Sequence, residues 1–122
     1  MITPDNKEFI ASFGSIDQLD KLIDDPAVSK SSMIENPNIQ DRHINKLVND
    51  PAWVVRSNIA RHPKLSSENV NTLIKDNHWA VRYNVAARSD LEQEQINTLK
   101  NDSHHMVRGE LEHNLNGYHD HR

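Results

Sequence analysis

The side chains best suited to recognition chemistry are concentrated in two windows of this sequence, residues 51–62 and 77–88. Both windows contain arginine, histidine and tryptophan, and neither contains aspartate or glutamate. Arginine binds carboxylates and phosphates through paired hydrogen bonds, and tryptophan and tyrosine supply large contact areas at interfaces. These windows therefore favour the binding of an anionic partner over a bond-breaking reaction. The candidate binding residues are Trp53, Arg56, Arg61, His78, Trp79, Arg82, Tyr83 and Arg88, and His62 lies beside them.

Motifs that mark enzymes are absent from the sequence. It has no glycine-rich phosphate loop, no nucleophile elbow and no His-Glu-x-x-His motif, and its three glycines are scattered. It also has no cysteine, which excludes disulfides, thiolate zinc sites and cysteine-ligated iron–sulfur clusters. We therefore expect a protein that is not an enzyme and that carries no cofactor.

Histidines are crowded near the C-terminus, where a metal site has to be considered. On a helix, His105 and His113 are about two turns apart and share a face. No carboxylate or cysteine completes a recognisable ligand set around them, so we predict no metal site. The histidines of this cluster are His104, His105, His113, His119 and His121.

Length and charge limit the class of protein. The 122 residues fit one domain, and 14 Lys and Arg against 18 Asp and Glu give a formal net charge of −4, which does not favour nucleic acid. No apolar run approaches the ~20 residues of a membrane-spanning helix. The first residues, 1–5, lack a basic region followed by an apolar stretch. We expect a soluble, cytoplasmic protein without membrane association.

The elements that position the candidate residues are written as a repeat. The pattern of residues 44–56 recurs 26 residues later at 70–82, and again at 96–108. A fixed period of 20–50 residues is typical of stacked repeat proteins, in which no unit buries its apolar face alone. We call each recurrence a copy. The predicted single repeat domain, 1–122, divides into an N-terminal capping helix at 1–15, a degenerate copy at 16–38, copies at 39–64, 65–90 and 91–115, and a frayed tail at 116–122.

Each copy contains two helical patterns. The first carries apolar residues at i, i+3 and i+4, as in Ile44, Leu47 and Val48, and the second follows an Asp at the position of an N-cap. No segment alternates with period two over the length of a strand, so the sequence predicts an all-α protein. The predicted first helices are 40–49, 66–75 and 92–101. The second helices that follow them are, in the same order, 51–61, 77–87 and 103–113. The predicted N-caps are Asn38, Ser66 and Asp90 for the first helices and Asp50, Asp76 and Asp102 for the second.

The string from Asn49 to Pro63, NDPAWVVRSNIARHP, resembles the leucine-rich-repeat variant family, whose pattern overlaps with that of HEAT-like repeats. The resemblance covers residues 19–115. It implies a short right-handed α-solenoid of paired short helices, used chiefly as a binding scaffold. The chain departs from the family in its period of 26 residues, which is longer than expected, and in its lack of cysteine, which rules out the iron–sulfur variant.

Two sets of recurring residues have both a structural and a binding interpretation. Arg56, Arg82 and Arg108 each follow an Asp by six residues, and pairing with an Asp of the same or an adjacent copy explains them without a ligand. Trp53 and Trp79 either pack between neighbouring copies, which a small core favours, or face a groove beside the arginines. Tyr83 follows Trp79 by one helical turn on the same flank.

These observations lead to one main functional hypothesis and two alternatives. The main hypothesis is a protein-binding scaffold, adaptor-like or inhibitor-like, whose basic and aromatic face on the second helices binds a protein with an acidic surface. DNA binding on the same face is the first alternative, and a steep loss of affinity with salt would identify it. A structural, self-assembling subunit is the second. We expect a monomer or a weak homo-oligomer.

Overall fold

The computed structural model describes residues 1–117, and all the regular secondary structure in this range is helical. The all-α prediction is therefore confirmed. Residues 118–122, which make up most of the predicted frayed tail, lie outside the described range. Within that range no helix is long and apolar enough to cross a bilayer. The helices are α1 (Lys7–Phe13), α2 (Ile16–Leu22), α3 (Lys30–Ile34), α4 (Asp41–Leu47), α5 (Trp53–Ile59), α6 (Ser67–Leu73), α7 (Trp79–Ala86), α8 (Gln93–Lys100) and α9 (His105–Leu115).

Contacts between the helices follow a regular order along the chain. Helix α1 packs on α3, α3 on α5, α5 on α7 and α7 on α9. The even-numbered helices α4, α6 and α8 each pack on the odd-numbered helix that follows them. The odd-numbered helices, in or next to which the candidate binding residues lie, are therefore in contact one after another.

Apolar residues at equivalent positions of the copies form the core. Because each short helix has only one apolar stripe, the stripe is buried against the helices of the same copy and of the next one. Replacing one such fully buried leucine by alanine costs about 2–5 kcal/mol. The buried equivalents are Leu47, Leu73 and Leu99 from the even-numbered helices and Ile59, Val85 and Leu111 from the odd-numbered ones.

The N-caps of α4, α6 and α8 differ in part from prediction. Ser66 is confirmed, since its hydroxyl accepts a hydrogen bond from the backbone N–H of Asn69 at 3.1 Å. The predicted caps Asn38 and Asp90 are wrong, because the caps of α4 and α8 lie two residues later in the chain. The side chain of Asp90 is instead bound by an arginine, as described below. The observed N-caps are Gln40 and Glu92.

The predicted N-caps of α5, α7 and α9 are also wrong. Asp50, Asp76 and Asp102 each accept the backbone N–H of the residue two positions later, at 2.9 Å. These bonds form a turn that precedes the helix, and the helix itself begins afterwards. The observed N-caps are Ala52, His78 and His104.

Candidate functional site

Five aromatic and imidazole rings lie next to one another at the start of α5, α7 and α9. The ring of Trp53 stacks on that of His78, with centroids 3.9 Å apart, and Trp79 stacks on His104 at 4.4 Å; both pairs are tilted by only 12°. His78 and Trp79 are 6.3 Å apart, and His104 and His105 are 5.0 Å apart. We call these five residues the aromatic strip.

The local structure of the helix N-termini fixes the strip. Trp53 and Trp79 are the first residues of α5 and α7, while His78 and His104 are the N-caps of α7 and α9. Each cap histidine accepts a backbone N–H through its Nδ1 atom, from Ala80 and from Met106, at 3.1 Å. This bond orients the imidazole so that the tryptophan of the preceding copy stacks on it.

The structure combines the two interpretations of the tryptophans. Each ring packs across the boundary between two copies, yet Trp53 and Trp79 remain 42% and 38% exposed. Tyr83 meets Trp79 edge-on with centroids 6.2 Å apart, as their spacing of one turn predicts. A hydrogen bond with the Glu110 carboxylate raises the pKa of Tyr83. The strip is thus a partly exposed surface whose rings are held by their neighbours.

Arg56 and Arg82 pair with aspartates of the following copy. The sequence predicts that these recurring arginines pair with an Asp of the same or an adjacent copy. Arg56 donates from Nε to Asp76 at 2.7 Å, and Arg82 donates from Nε to Asp102 at 2.8 Å. The hydrogen bond with Asp76 raises the pKa of Arg56. The side chains are mostly buried, with exposed fractions of 15% and 8% in the first pair and 13% and 7% in the second. Their charges are therefore compensated inside the protein.

Arg88 is buried and does not lie on an exposed face, contrary to the sequence prediction. Its Nε and Nη2 atoms donate to the carboxylate of Asp90 at 2.9 and 2.8 Å. Its Nη1 atom donates to the backbone carbonyls of Ala60 and His62 at 2.8 and 2.9 Å. The hydrogen bond from Arg88 lowers the pKa of Asp90. All the donor groups that would serve a partner are thus directed inward.

Residues equivalent to Arg88 in two other copies also donate hydrogen bonds to backbone carbonyl groups at helix C-termini. Asn36 lies 52 residues before Arg88, and Asn114 lies 26 residues after it. Both are buried, and each donates to two backbone carbonyls near the end of an odd-numbered helix, Asn36 at α1 and Asn114 at α7, at 2.7–3.1 Å. His62 occupies the same position of its copy, and burial lowers its pKa. The variable residues His62 and Arg88 therefore serve packing.

Among the arginines from Arg56 to Arg108, Arg61 and Arg108 retain exposed guanidinium groups. Arg61 is exposed and forms no hydrogen bond or ion pair with residues 1–117. Arg108 donates from Nη1 to the carbonyl of Asp102, as Arg82 does to that of Asp76. No carboxylate among residues 1–117 pairs with the guanidinium of Arg108. Of the predicted basic face, Arg61 is the arginine that remains available.

Sequence reasoning missed His104 and His105 as members of the site. Their signal is present in the repeat, because His104 stands 26 residues after His78 and His105 stands 26 after Trp79. Within residues 1–117 no group of three or more His, Asp or Glu side chains is arranged to hold a metal ion. His119 and His121 of the predicted histidine cluster lie outside the described range.

No protein-family model matches this chain, and searches of curated proteins and of solved structures find no match either. The resemblance to leucine-rich-repeat variant and HEAT-like proteins therefore stays a prediction from the sequence columns. The interpretation of the site rests on the geometry of its own residues.

Proposed function

We propose that this chain is a non-catalytic protein-binding scaffold that binds its partner through the aromatic strip. The observation that supports this function is the pair of tryptophans, each more than one third exposed and each stacked on a histidine of the next copy. Tryptophan and tyrosine are enriched among the residues that contribute most binding energy at protein interfaces. The strip presents Trp53 and Trp79, and Tyr83 lies beside it in edge-on contact with Trp79.

The rigidity of the strip supports a binding role. Ordering a free side chain at an interface costs about 0.5–1.5 kcal/mol, and that cost reduces affinity. The rings of Trp53 and Trp79 are already held by stacking, and the histidines by their N-cap bonds. A partner therefore meets a surface that needs little further ordering.

The architecture we propose for this scaffold is a short right-handed α-solenoid of the leucine-rich-repeat variant or HEAT-like kind. Support comes from the succession of contacts between odd-numbered helices and from hydrogen bonds that recur at equivalent positions. A solenoid places equivalent residues side by side along one surface. The strip, which draws one or two residues from each of three copies, is a surface of this kind.

The DNA-binding alternative loses support from the same geometry. It relies on a basic face, but Arg56, Arg82 and Arg88 each pair with an aspartate of the chain. Binding to phosphates requires cations that are free to replace counterions. We therefore retain protein binding as the proposed function.

Peptide display tests the proposal. Random peptides on phage are selected on the immobilised protein, and the affinity of enriched peptides is then measured for the double variant Trp53→Ala, Trp79→Ala. We expect at least a tenfold loss, about 1.4 kcal/mol, because two interface anchors are removed. The matched control is Phe9→Ala, Phe13→Ala, which removes two exposed aromatic rings outside the strip and should change affinity less than twofold.

Circular dichroism of both double variants verifies that they remain helical. Equal affinity of the enriched peptides for the tryptophan variant and the wild type would show that the strip is not the binding surface. A selection that enriches no peptide would argue against the proposed function as a whole.

A further inference from the structure

We infer that the segment bound by the aromatic strip is an extended acidic peptide of a partner protein, with one carboxylate on Arg108 and further oxygen atoms on the N–H groups of the strip. This inference rests on the proposed function and specifies the chemistry of the partner. It is carried by the hydrogen-bonding state of the strip, by the pairing of the aspartates that precede its cap histidines, and by the arginine at its end.

The ring atoms of Trp53, His78, Trp79 and His104 that remain unused are donors. His78 and His104 use Nδ1 to accept a backbone N–H, so in the neutral imidazole the proton is on Nε2. The indole of tryptophan has a donor and no acceptor. No hydrogen bond within residues 1–117 occupies the Nε1 atoms of Trp53 and Trp79 or the Nε2 atoms of the two cap histidines. A ligand that fits must therefore bring acceptors.

The carboxylates that precede the cap histidines are compensated within the protein. Asp76 and Asp102 precede His78 and His104 by two residues, but they are bound by arginines and are only 8% and 7% exposed. On α9, Glu110 is hydrogen-bonded to Tyr83. An acidic peptide would therefore meet the donors of His78 and His104 without meeting free carboxylates of Asp76 and Asp102.

Arg108 shows what the end of the strip binds. Its equivalents Arg56 and Arg82 use Nη1 for a backbone carbonyl and use Nε and Nη2 for a carboxylate. Arg108 makes the same carbonyl bond to Asp102, which holds its guanidinium at the end of α9 where His104 lies. The carboxylate that completes this arrangement is absent among residues 1–117, so a ligand can supply it.

The stacking of the rings favours a peptide over a nucleic acid. Sequence-tolerant binding of single strands uses open aromatic faces on which bases stack. In the strip, the tilt of 12° at 3.9 and 4.4 Å means that a histidine covers one face of each tryptophan. The donor groups at the ring edges suit the closely spaced oxygen atoms of an extended peptide.

A synthetic peptide array tests the inference. It contains 12-residue peptides in which Glu, Gln or Lys alternates with each of the other residues, and the best binders are measured by fluorescence anisotropy on the full chain. We expect Glu peptides to bind at least tenfold more tightly than their Gln counterparts. Arg108→Gln should reduce that affinity at least tenfold, while Lys21→Gln, at an exposed cation on α2 outside the strip, should change it less than twofold.

Three results would overturn the inference: equal binding of Glu and Gln peptides, wild-type affinity of the Arg108→Gln variant, or tighter binding of a 12-nucleotide oligo(dT) than of any Glu peptide. The proposed function fails separately. If phage-selected peptides depend on Trp53 and Trp79 but are not acidic and ignore Arg108→Gln, the strip binds proteins and only the inferred partner class is wrong. If nothing depends on the tryptophans, both ideas fail.

Discussion

Arg56, Arg82 and Arg108 occupy equivalent positions, but their surroundings give them different roles. The first two are largely buried between copies and bind an aspartate, whereas the third is exposed and, among residues 1–117, bonds only to the carbonyl of Asp102. A positive charge in the sequence is therefore not the same as a positive charge available to a partner. Within residues 1–117, the exposed arginines without a carboxylate partner are Arg61 and Arg108, and Arg108 lies where the ladder of arginine–aspartate pairs ends.

Removing the guanidinium from the middle of this ladder should destabilise the fold. Arg82→Ala leaves the carboxylate of Asp102, which is 7% exposed, without its partner. Loss of one member of a buried pair costs about 3–5 kcal/mol, so we expect a loss of about 3 kcal/mol in the free energy of unfolding. Denaturant unfolding measures it. The control is Arg108→Ala, which should cost less than about 1 kcal/mol because no buried carboxylate is orphaned; equal losses would contradict this account.

The carboxylate of Asp20 should make stability depend on pH. Hydrogen bonds from Arg42 and His43 lower its pKa from 3.8 to about 2. Because the folded-state pKa is the lower one, the stabilisation is complete above 3.8 and is lost as the pH falls towards 2. Asp20→Asn should therefore lower the melting temperature at pH 7, and its difference from wild type should narrow between about pH 4 and pH 2.

Thermal unfolding across this pH range measures the effect of Asp20→Asn. The control is Asp24→Asn, since Asp24 is highly exposed and its pair with Lys46 is a surface pair of little energetic value. A difference between the Asp20→Asn variant and wild type that stays constant from pH 7 to pH 2 would contradict the role given to Asp20.

The candidate site could be predicted from sequence only in part, for reasons visible at single residues. The pairing of Arg56 with an aspartate follows from the six-residue spacing of Asp and Arg that recurs in the copies at 39–64, 65–90 and 91–115. The burial of Arg88 does not, because its partners are carbonyl groups of the preceding copy, and backbone acceptors leave no mark in a sequence. The stacking of Trp53 on His78 depends on the offset between neighbouring helices, which the period alone does not specify.

At the scale of the helix, two local devices in series set where α7 and α9 begin. An aspartate turn comes first, and a histidine cap follows two positions later. At α5 only the turn is present, because the cap residue Ala52 makes no side-chain bond. Both devices use a polar side chain that accepts a backbone N–H two residues on, so the sequence at Asp76 fits either. The helix pattern itself was readable from apolar spacing, but this ambiguity shifted its predicted start.

His78 should be replaceable as a cap but not as a stacking partner. Asparagine is a good N-cap, so His78→Asn should retain the stability of α7, whereas His78→Ala should lose about 1 kcal/mol. Denaturant unfolding distinguishes the two variants. Since neither variant keeps the imidazole beside Trp53, both should bind the peptides selected on the strip more weakly than the wild type does. Equal stability of the two variants would show that the Nδ1 bond does not cap the helix.

At the scale of the whole molecule, the last copy differs from the inner ones where a further copy would pack. Lys100 and Glu112 are exposed, while their equivalents Ile74 and Ala86, 26 residues earlier, are buried. Charged residues at such positions stop a stack from growing. The all-α class was predictable because every helix repeats the same apolar spacing, and this polar end was predictable from the departures in the third copy.

A stack of copies should lose stability locally when one junction is weakened. Each copy in a solenoid contacts only its neighbours, so local unfolding free energies follow the nearest junctions. Arg82→Ala removes the pair with Asp102, which lies between α8 and α9. Amide hydrogen exchange should therefore show at least a tenfold loss of protection in α8 and α9, with protection in α2 and α4 changed less than threefold.

The Arg108→Ala variant provides the matched background for this exchange experiment, because it alters the same residue type in the same column without breaking a pair between copies. If Arg82→Ala instead lowers protection by the same factor in all helices, the chain unfolds as one cooperative body and not as coupled copies. That result would contradict the proposed solenoid architecture. The aromatic strip would still be tested separately by the peptide experiments, because its geometry depends on α5, α7 and α9.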